Sequence, residues 1–296
     1  MGAKDPVVSV ILPTRNRSQL LSRAMKSVLA QTFPDFELIV IDEGSTDDTP
    51  RVVESFVDER IHSIRHEVFR GPGAARNAGV ELSRGEYITF LDDDDEFLPN
   101  KLKDQTDAFR KSVSAVGIVI SDVQVFRDGT PVEYFPYDGD SGNIFLHFLA
   151  GHFFPLNASM IRRSAIPAFD DKLSCLEDID FHLRVVQKSK ALYHDALCAL
   201  YNIDEHRKRL SHDRVAMHRS FRTLETRWFN DPEDTLLKEA QAELLVNFPL
   251  RLMRIGYMDE ITREYLNKAF KMKKDGRRTW YRLLNLLGPS MLKRFH

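Results

Sequence analysis

The chain has 296 residues, 43% hydrophobic and 29% charged, with a formal net charge of -2. This is the make-up of a soluble globular protein of one large domain, or one domain with an appendage, and it excludes a global basic field that would point to nucleic acid. The two cysteines, Cys175 and Cys198, fit no metal-binding spacing and predict reduced thiols; with no apolar leader and no run long enough to span a bilayer, the expected location is cytoplasmic.

Residues 7–12 are an apolar, β-branched run that predicts a buried strand stopped by Pro13. The polar loop Thr14-Arg15-Asn16-Arg17 follows, with Ser18 a candidate helix N-cap. Leu20, Leu21, Ala24, Val28 and Leu29 then make a core-facing stripe at helical spacing. Residues 36–41 predict a second buried strand, ending at Asp42-Glu43-Gly44-Ser45, and Thr46 to Asp48 can cap a helix over 49–57. A short strand over 61–65 and the loop Arg70-Gly71-Pro72-Gly73 lead into Ala74-Ala75-Arg76-Asn77-Ala78-Gly79, where small residues let a helix lie close to a sheet or a ligand. Residues 87–91 predict a buried strand that runs straight into Asp92, Asp93, Asp94 and Asp95.

Beyond the acids the pattern predicts a helix from Asn100 to about Lys111 and a strand over 116–120. A hairpin turn is expected at Asp128-Gly129, between 123–127 and 131–135. Residues 137–141 read as a loop, 143–149 as a short helix and 155–161 as an apolar strand. Glu177-Asp178 falls at a helix start, where free N–H groups and the dipole stabilise a carboxylate. A strand over 197–201 and a polar loop through His212 complete this region. From about Asp213 the chain reads as helices, over 215–229, 232–252 and 258–272. Its end mixes Trp280, Tyr281 and Leu283 with Arg277, Arg278 and Arg282, a basic amphipathic texture that can lie on an anionic membrane surface or pack on the main domain or a second subunit.

Strand and helix alternate through the first ninety or so residues, which argues for a parallel sheet wrapped by helices. The tips after Leu12, Ile41 and Leu91 then fall on one edge, where open α/β sheets bind their ligands. Four adjacent carboxylates repel one another unless a cation neutralises them. Hard divalent ions take oxygen ligands and hold substrate phosphates, so the pattern points to a metal–phosphate site at a strand tip.

In order and spacing these motifs resemble the family 2 inverting glycosyltransferases. The matching stretches are Val8 to Arg17, Ile39 to Asp47, Gly73 to Gly79 with Gly85 to Asp95 (a D-x-D segment), and the acid pair Glu177-Asp178. Together they span roughly residues 7–212. The resemblance implies an α/β GT-A fold, a Rossmann-like, mostly parallel sheet flanked by helices, in a catalytic domain over 1–212. Residues 213–296 are expected as a helical appendage for acceptor, oligomer or membrane-surface contact. Arg15 stands where the family often has an aromatic, and Glu43 where it commonly has a second Asp.

The implied reaction moves a sugar from a nucleoside-diphosphate sugar, a UDP-sugar foremost, to a hydroxyl of a saccharide or lipid-linked saccharide acceptor. It needs one general base and a divalent Mn2+ or Mg2+ on the diphosphate. By position, Asp178 is expected as the base, with Glu177 touching donor or acceptor sugar. Pro13, Thr14 and Arg15 are expected to line the base pocket and Asp42 to accept from the nucleobase. Arg76 would place positive charge near the nucleotide, and Asp92 and Asp93 would face the ribose and the metal's water. Asp94 and His206 are the expected metal ligands, Arg209 and Ser211 could close over the diphosphate, and Asp95 has no assigned role. Sugar nucleotidyl transfer and a non-catalytic sugar-nucleotide-binding scaffold are the alternatives. The first would be expected to carry a glycine-rich loop after the first strand, which Pro13-Thr14-Arg15-Asn16 does not supply.

Overall fold

A computed structural model describes residues 5–132, 144–150, 154–204 and 213–229, with isolated positions between 240 and 268. The chain divides into two compact units, Met1–Ile144 with Phe154–Ser220, and Phe145–Phe153 with Phe221–His296. Expectations for 137–141, His206, Arg209, Ser211 and the basic end beyond 268 lie outside the described residues, as does most of the two helices expected over 232–252 and 258–272.

The first unit is built on a sheet of order β3-β2-β1-β4-β8-β6-β9-β5, with β7 paired to β6. Strands β1 (Val8–Thr14), β2 (Phe36–Asp42), β3 (Ile61–Arg65) and β4 (Tyr87–Phe90) are mutually parallel. Every residue of β2 and β4 is buried, as expected for parallel strands covered on both faces. Helix α1 (Ser18–Leu29) buries Leu21, Ala24, Met25 and Val28; α2 (Thr49–Ser55) follows β2. Helix α3 (Pro72–Leu82) lies directly on β1, where a Cβ at Gly79 would stand 2.5 Å from Ile11 Cγ2. Only glycine permits that approach.

Two local expectations need correcting here. Pro13 does not stop β1; it continues in register opposite Ile41. Ile11 and Pro13 both point their main-chain groups towards β4, which has ended by Leu91, so the missing N–H of Pro13 has no ladder partner to lose. Ser18 is not the N-cap of α1, because Arg17 is; the Ser18 N–H is instead capped from the neighbouring loop by Asp47 Oδ2 at 3.2 Å.

The other half of the sheet is mixed. β5 (Glu96–Phe97) pairs antiparallel with β9 (Lys190–Ile203), and β8 (Ser159–Arg162) lies antiparallel between β4 and β6 (Val116–Arg127). β6 and β9 run parallel, with register shifts near Ser121 and Asp122. β6 is one strand where two were expected, and β9 begins far earlier than 197. The apolar stretch from Pro155 is a 3-10 turn over Leu156–Ala158 before the short β8. The expected hairpin is present: Asp128 and Gly129 take φ of 47° and 76°, the paired positive angles of a tight turn, and lead into β7 (Thr130–Pro131). Helix α4 (Lys101–Lys111) covers β6 and β9, and α6 (Glu177–Lys188) follows a loop from residue 166.

In the second unit, α5 (Ile144–Leu149, from Phe145 on) sets Phe145 edge-on to Trp228, and Phe221 stands against Tyr265. Helix α7 (Arg214–Trp228) matches the helix expected over 215–229. Among the described residues no helix is long and apolar enough to cross a membrane.

Candidate active site

The tips of β1, β2 and β4 are tied together by side chains from the loops they launch. Asn16, in the left-handed region at φ 52°, accepts the Thr46 N–H on Oδ1 at 2.7 Å and gives its own N–H to Ser45 Oγ at 2.9 Å. Asp42 uses Oδ1 to accept the Ser45 N–H at 2.8 Å. Its Oδ2 is buried and accepts no hydrogen bond among the described residues, with Arg65 Nε at 3.5 Å. Glu43 is also buried. It takes the His66 ring on one oxygen and the N–H groups of Arg70 and Gly71 on the other, at 2.9 and 2.8 Å. The extra methylene of a glutamate thus reaches and anchors the loop that follows β3. That loop carries Phe69, over whose ring the Arg15 guanidinium stands at 4.3 Å. Pro13 is half-buried and Arg15 exposed beside this group.

The four acids after β4 separate into different environments. Asp92 keeps 39% of its side chain exposed and pairs with Arg76 Nη2 at 2.7 Å. Asp93, 4% exposed, is turned inward: Oδ2 accepts from Thr14 Oγ1 at 2.8 Å and Oδ1 pairs with Arg17 Nη1 at 2.7 Å. Burial pushes the Asp93 carboxyl up to about 6; Arg17 opposes this and Asp94 adds to it. Asp94 lies nearer the surface, with Oδ2 3.3 Å from the same Arg17 nitrogen. Asp95 is buried and faces Asn157 and Asn202.

Arg76 joins this cluster to the second acid pair. Its side chain is buried between Asp92 and Glu177 Oε1, the latter 2.8 Å from Nη1. Burial alone would lower the guanidinium pKa, but the two carboxylates outweigh it and raise it. Glu177 is pushed up to about 7 by burial, with Arg76 opposing and Asp178 adding to the rise. Glu177 and Asp178 open α6 directly after Leu176, which holds a left-handed φ of 61°. Such a conformation costs about 1–3 kcal/mol in a non-glycine residue and persists only where packing enforces it. The packing is plain: Phe169 stacks on Phe181 at 4.0 Å, both stand edge-on to Phe90, and Asn77 exchanges two hydrogen bonds with the Phe169 main chain. Asp178 is half-buried, with Oδ1 accepting the Ile179 N–H at 2.9 Å.

The family model described as Glycosyl transferase family 2 matches residues 9–168, more than half of the chain. The chain belongs to glycosyl transferase family 2. Its curated relatives include the putative colanic acid biosynthesis glycosyl transferase WcaA of Escherichia coli (strain K12), 43% identical over 100 residues, covering 33% of this chain and 36% of WcaA. A second is the GalNAc(5)-diNAcBac-PP-undecaprenol beta-1,3-glucosyltransferase of Campylobacter jejuni, 45% identical over 100 residues, with 33% and 32% covered. The chain thus spans about a third of either relative. Among solved structures, S. aureus TarS 1-349 superposes with a TM-score of 0.66 at 19% identity, covering 97% of this chain and 81% of that one. That likeness is one of fold, the GT-A architecture expected of the family.

Thr14, Arg15, Asp42, Arg76, the acid triplet and Glu177-Asp178 all fall on the strand-tip edge or on the α6 start that Arg76 links to it. Sequence reasoning passed over Arg17, Asn77, Asp95, Asn157 and Asn202. Arg17 had a signal, a cation within the motif loop; the others act only through long-range contacts. Among the described residues no three His, Cys, Asp or Glu side chains converge as a metal cage. Mg2+ and Mn2+ bound with substrate phosphates need only one or two protein carboxylates. The triplet fits that demand: Asp93 and Asp94 share the one guanidinium of Arg17, and Asp92 shares that of Arg76 with Glu177, so the acids outnumber the cations that face them.

Proposed function

We propose that this chain is a metal-dependent inverting glycosyltransferase that moves a sugar from a UDP-sugar to an acceptor hydroxyl in polysaccharide or glycoconjugate assembly. The observation that carries the reading is the shared arginine. Arg76 ties a metal- and phosphate-type acid cluster to a helix-opening acid pair, so the two chemistries that glycosyl transfer needs lie side by side. Asp178 is the general base: a half-buried carboxylate that removes the acceptor proton as the hydroxyl attacks the anomeric carbon. Glu177, held by Arg76, orients a sugar. Asp94, with Asp92, would hold Mn2+ or Mg2+, which as a Lewis acid stabilises the departing diphosphate. His206 is retained as a further ligand.

Uracil is favoured by the chemistry of Asp42. With Oδ1 occupied by Ser45, the carboxylate offers one buried acceptor beside a guanidinium donor. Uracil and thymine present a single N3–H flanked by carbonyls, which suits one acceptor beside one donor. Guanine presents two adjacent donors and cytosine none at N3. Thr14, Pro13 and Arg15 line the same pocket, while Asp93 braces it from behind. S. aureus TarS is known in complex with UDP-GlcNAc, and the C. jejuni relative is named for an undecaprenol-diphosphate-linked acceptor. Both support a UDP-sugar donor and a lipid-linked saccharide acceptor. Family membership favours sugar transfer over nucleotidyl transfer. Residues 1–212 are assigned donor binding and catalysis, and 213–296 contact with acceptor, a second copy or a membrane surface.

The test is calorimetric titration with UDP, GDP, dTDP and CDP, each with Mn2+ and with chelator, on wild type and Asp94→Ala. UDP or dTDP binding that Mn2+ tightens, with that gain lost in Asp94→Ala, is expected. Binding of none of the four, or metal-independent binding unchanged in the variant, overturns the reading.

A further inference from the structure

We infer that Asp95 is the positioning residue of the acidic turn: through Asn157 and Asn202 it clamps the main chain of Asp94 and so sets the direction in which the Asp94 carboxylate meets the donor diphosphate and its metal. The inference rests on the donor reading above but concerns a residue that reading does not use.

The Asp95 side chain is only 1% exposed, so it touches no ligand directly. Its oxygens accept from two amides, the Asn202 N–H at 2.8 Å and Asn157 Nδ2 at 2.7 Å. Its own N–H closes the turn onto the Asp92 carbonyl at 3.0 Å. Inside that turn, the Asp94 carbonyl receives Asn202 Nδ2 at 2.8 Å and Arg23 Nη2 at 2.9 Å. The turn is therefore held at a central and the final position, by Asn157 and Asn202 from the far half of the sheet and by Arg23 from α1. A carboxylate at 95 suits this place, because it faces two donors and accepts from both.

Asn157 supplies an independent sign that the contact matters. It is 2% exposed, and its Oδ1 is buried without a hydrogen-bond partner among the described residues. Leaving a buried carbonyl unsatisfied is unfavourable, so the arrangement is held in place by what the other end of the amide gains. Rotating the amide would place that oxygen against the Asp95 carboxylate, so the orphan is the consequence of presenting Nδ2 to Asp95. Partners that orient a metal ligand without touching the metal typically change metal affinity about 10–100-fold when removed.

The experiment titrates Mn2+ into protein saturated with UDP, and UDP into protein with chelator, for wild type, Asp95→Ala, Asp95→Asn and Asn202→Ala. Asp95→Ala should weaken Mn2+ binding about tenfold or more while leaving UDP affinity in chelator unchanged. Asp95→Asn should stay within about threefold of wild type, since the Asn157 amide can turn and accept from it. Asn202→Ala keeps its main-chain N–H on Asp95 and should weaken Mn2+ by a smaller factor, which keeps the test open if Asp95→Ala does not fold. Unchanged Mn2+ affinity in the folded variants, or an equal loss of metal-free UDP binding, overturns the clamp alone. Absence of Mn2+-dependent UDP binding in wild type would overturn the donor reading and the clamp with it.

Discussion

The two halves of the sheet hold their acids in different ways. In the parallel half, β3-β2-β1-β4, the tips are locked by neighbours close at hand: Asn16, Ser45, Thr46 and Asp47 lace the first two loops together. In the mixed half, β8-β6-β9-β5, the acid pair on α6 is placed by a strained Leu176, an aromatic stack and clamps from α3. The parallel half builds the proposed donor platform by regular folding rules, whereas the other half places the proposed base by irregular packing. Among the described residues, Arg76 is the one with an ion pair to the acid cluster after β4 and another to the acid pair on α6.

The sharpest break between the halves should come from Asp178→Asn. Removing the base while keeping its shape should lower turnover about 10²–10⁴-fold with donor affinity unchanged, as read by steady-state rates beside calorimetry; wild-type turnover would remove Asp178 from the mechanism. Arg76→Met should instead harm both halves. Leaving two carboxylates without their buried guanidinium should cost about 3–5 kcal/mol of stability, and a double-mutant cycle with Glu177→Gln should show strong coupling. Additive losses in denaturant melts would mean that Arg76 links nothing.

A gentler probe is pH. Asp93 and Glu177 sit at about 6 and about 7, above ordinary values of 3.8 and 4.5. The folded chain therefore keeps protons that the unfolded chain has released, and the stability contributed is complete below about pH 4 and lost as pH rises through about 7. Between pH 5 and 8 the melting temperature of wild type should fall relative to that of Glu177→Gln. Parallel curves would refute the raised carboxyl. Smallest of all, Arg15→Ala removes an exposed guanidinium–ring contact of about 0.5–1 kcal/mol and should change UDP affinity no more than about fivefold; a loss of a hundredfold would make Arg15 a principal base contact.

The same division explains what could be read from the residues alone. β1, β2 and β4 and the helices beside them follow from apolar runs and turn residues because each of these parallel strands is buried on both faces and announces itself locally. Lys190 to Asp195 gave no such sign: these residues on a half-exposed strand neither alternate polar with apolar nor form a β-branched run, and only pairing with β6 makes them β-structure. Pro13 misled because its missing donor matters only if β4 continues beside it. The acid triplet and Glu177-Asp178 were legible as motifs, yet nothing in the string shows that Asp93 turns inward, that Asp95 turns towards β9, or that one arginine spans two acids, since each depends on partners far along the chain.

The Asp95 contacts also impose an order on biosynthesis. Asn157 and Asn202 lie 62 and 107 residues beyond the aspartate they hold. A chain emerging from the ribosome can complete β1 to β4, with all four acids in place, long before either amide exists. Domains fold as they emerge, and non-local pairings close last. The acidic turn therefore gains its last anchor, Asn202, only when β9 arrives, by which point α6 and the proposed base have already been made. A nascent fragment carries the acids without the full set of anchors, so the proposed cation site and the proposed base reach their final geometry together.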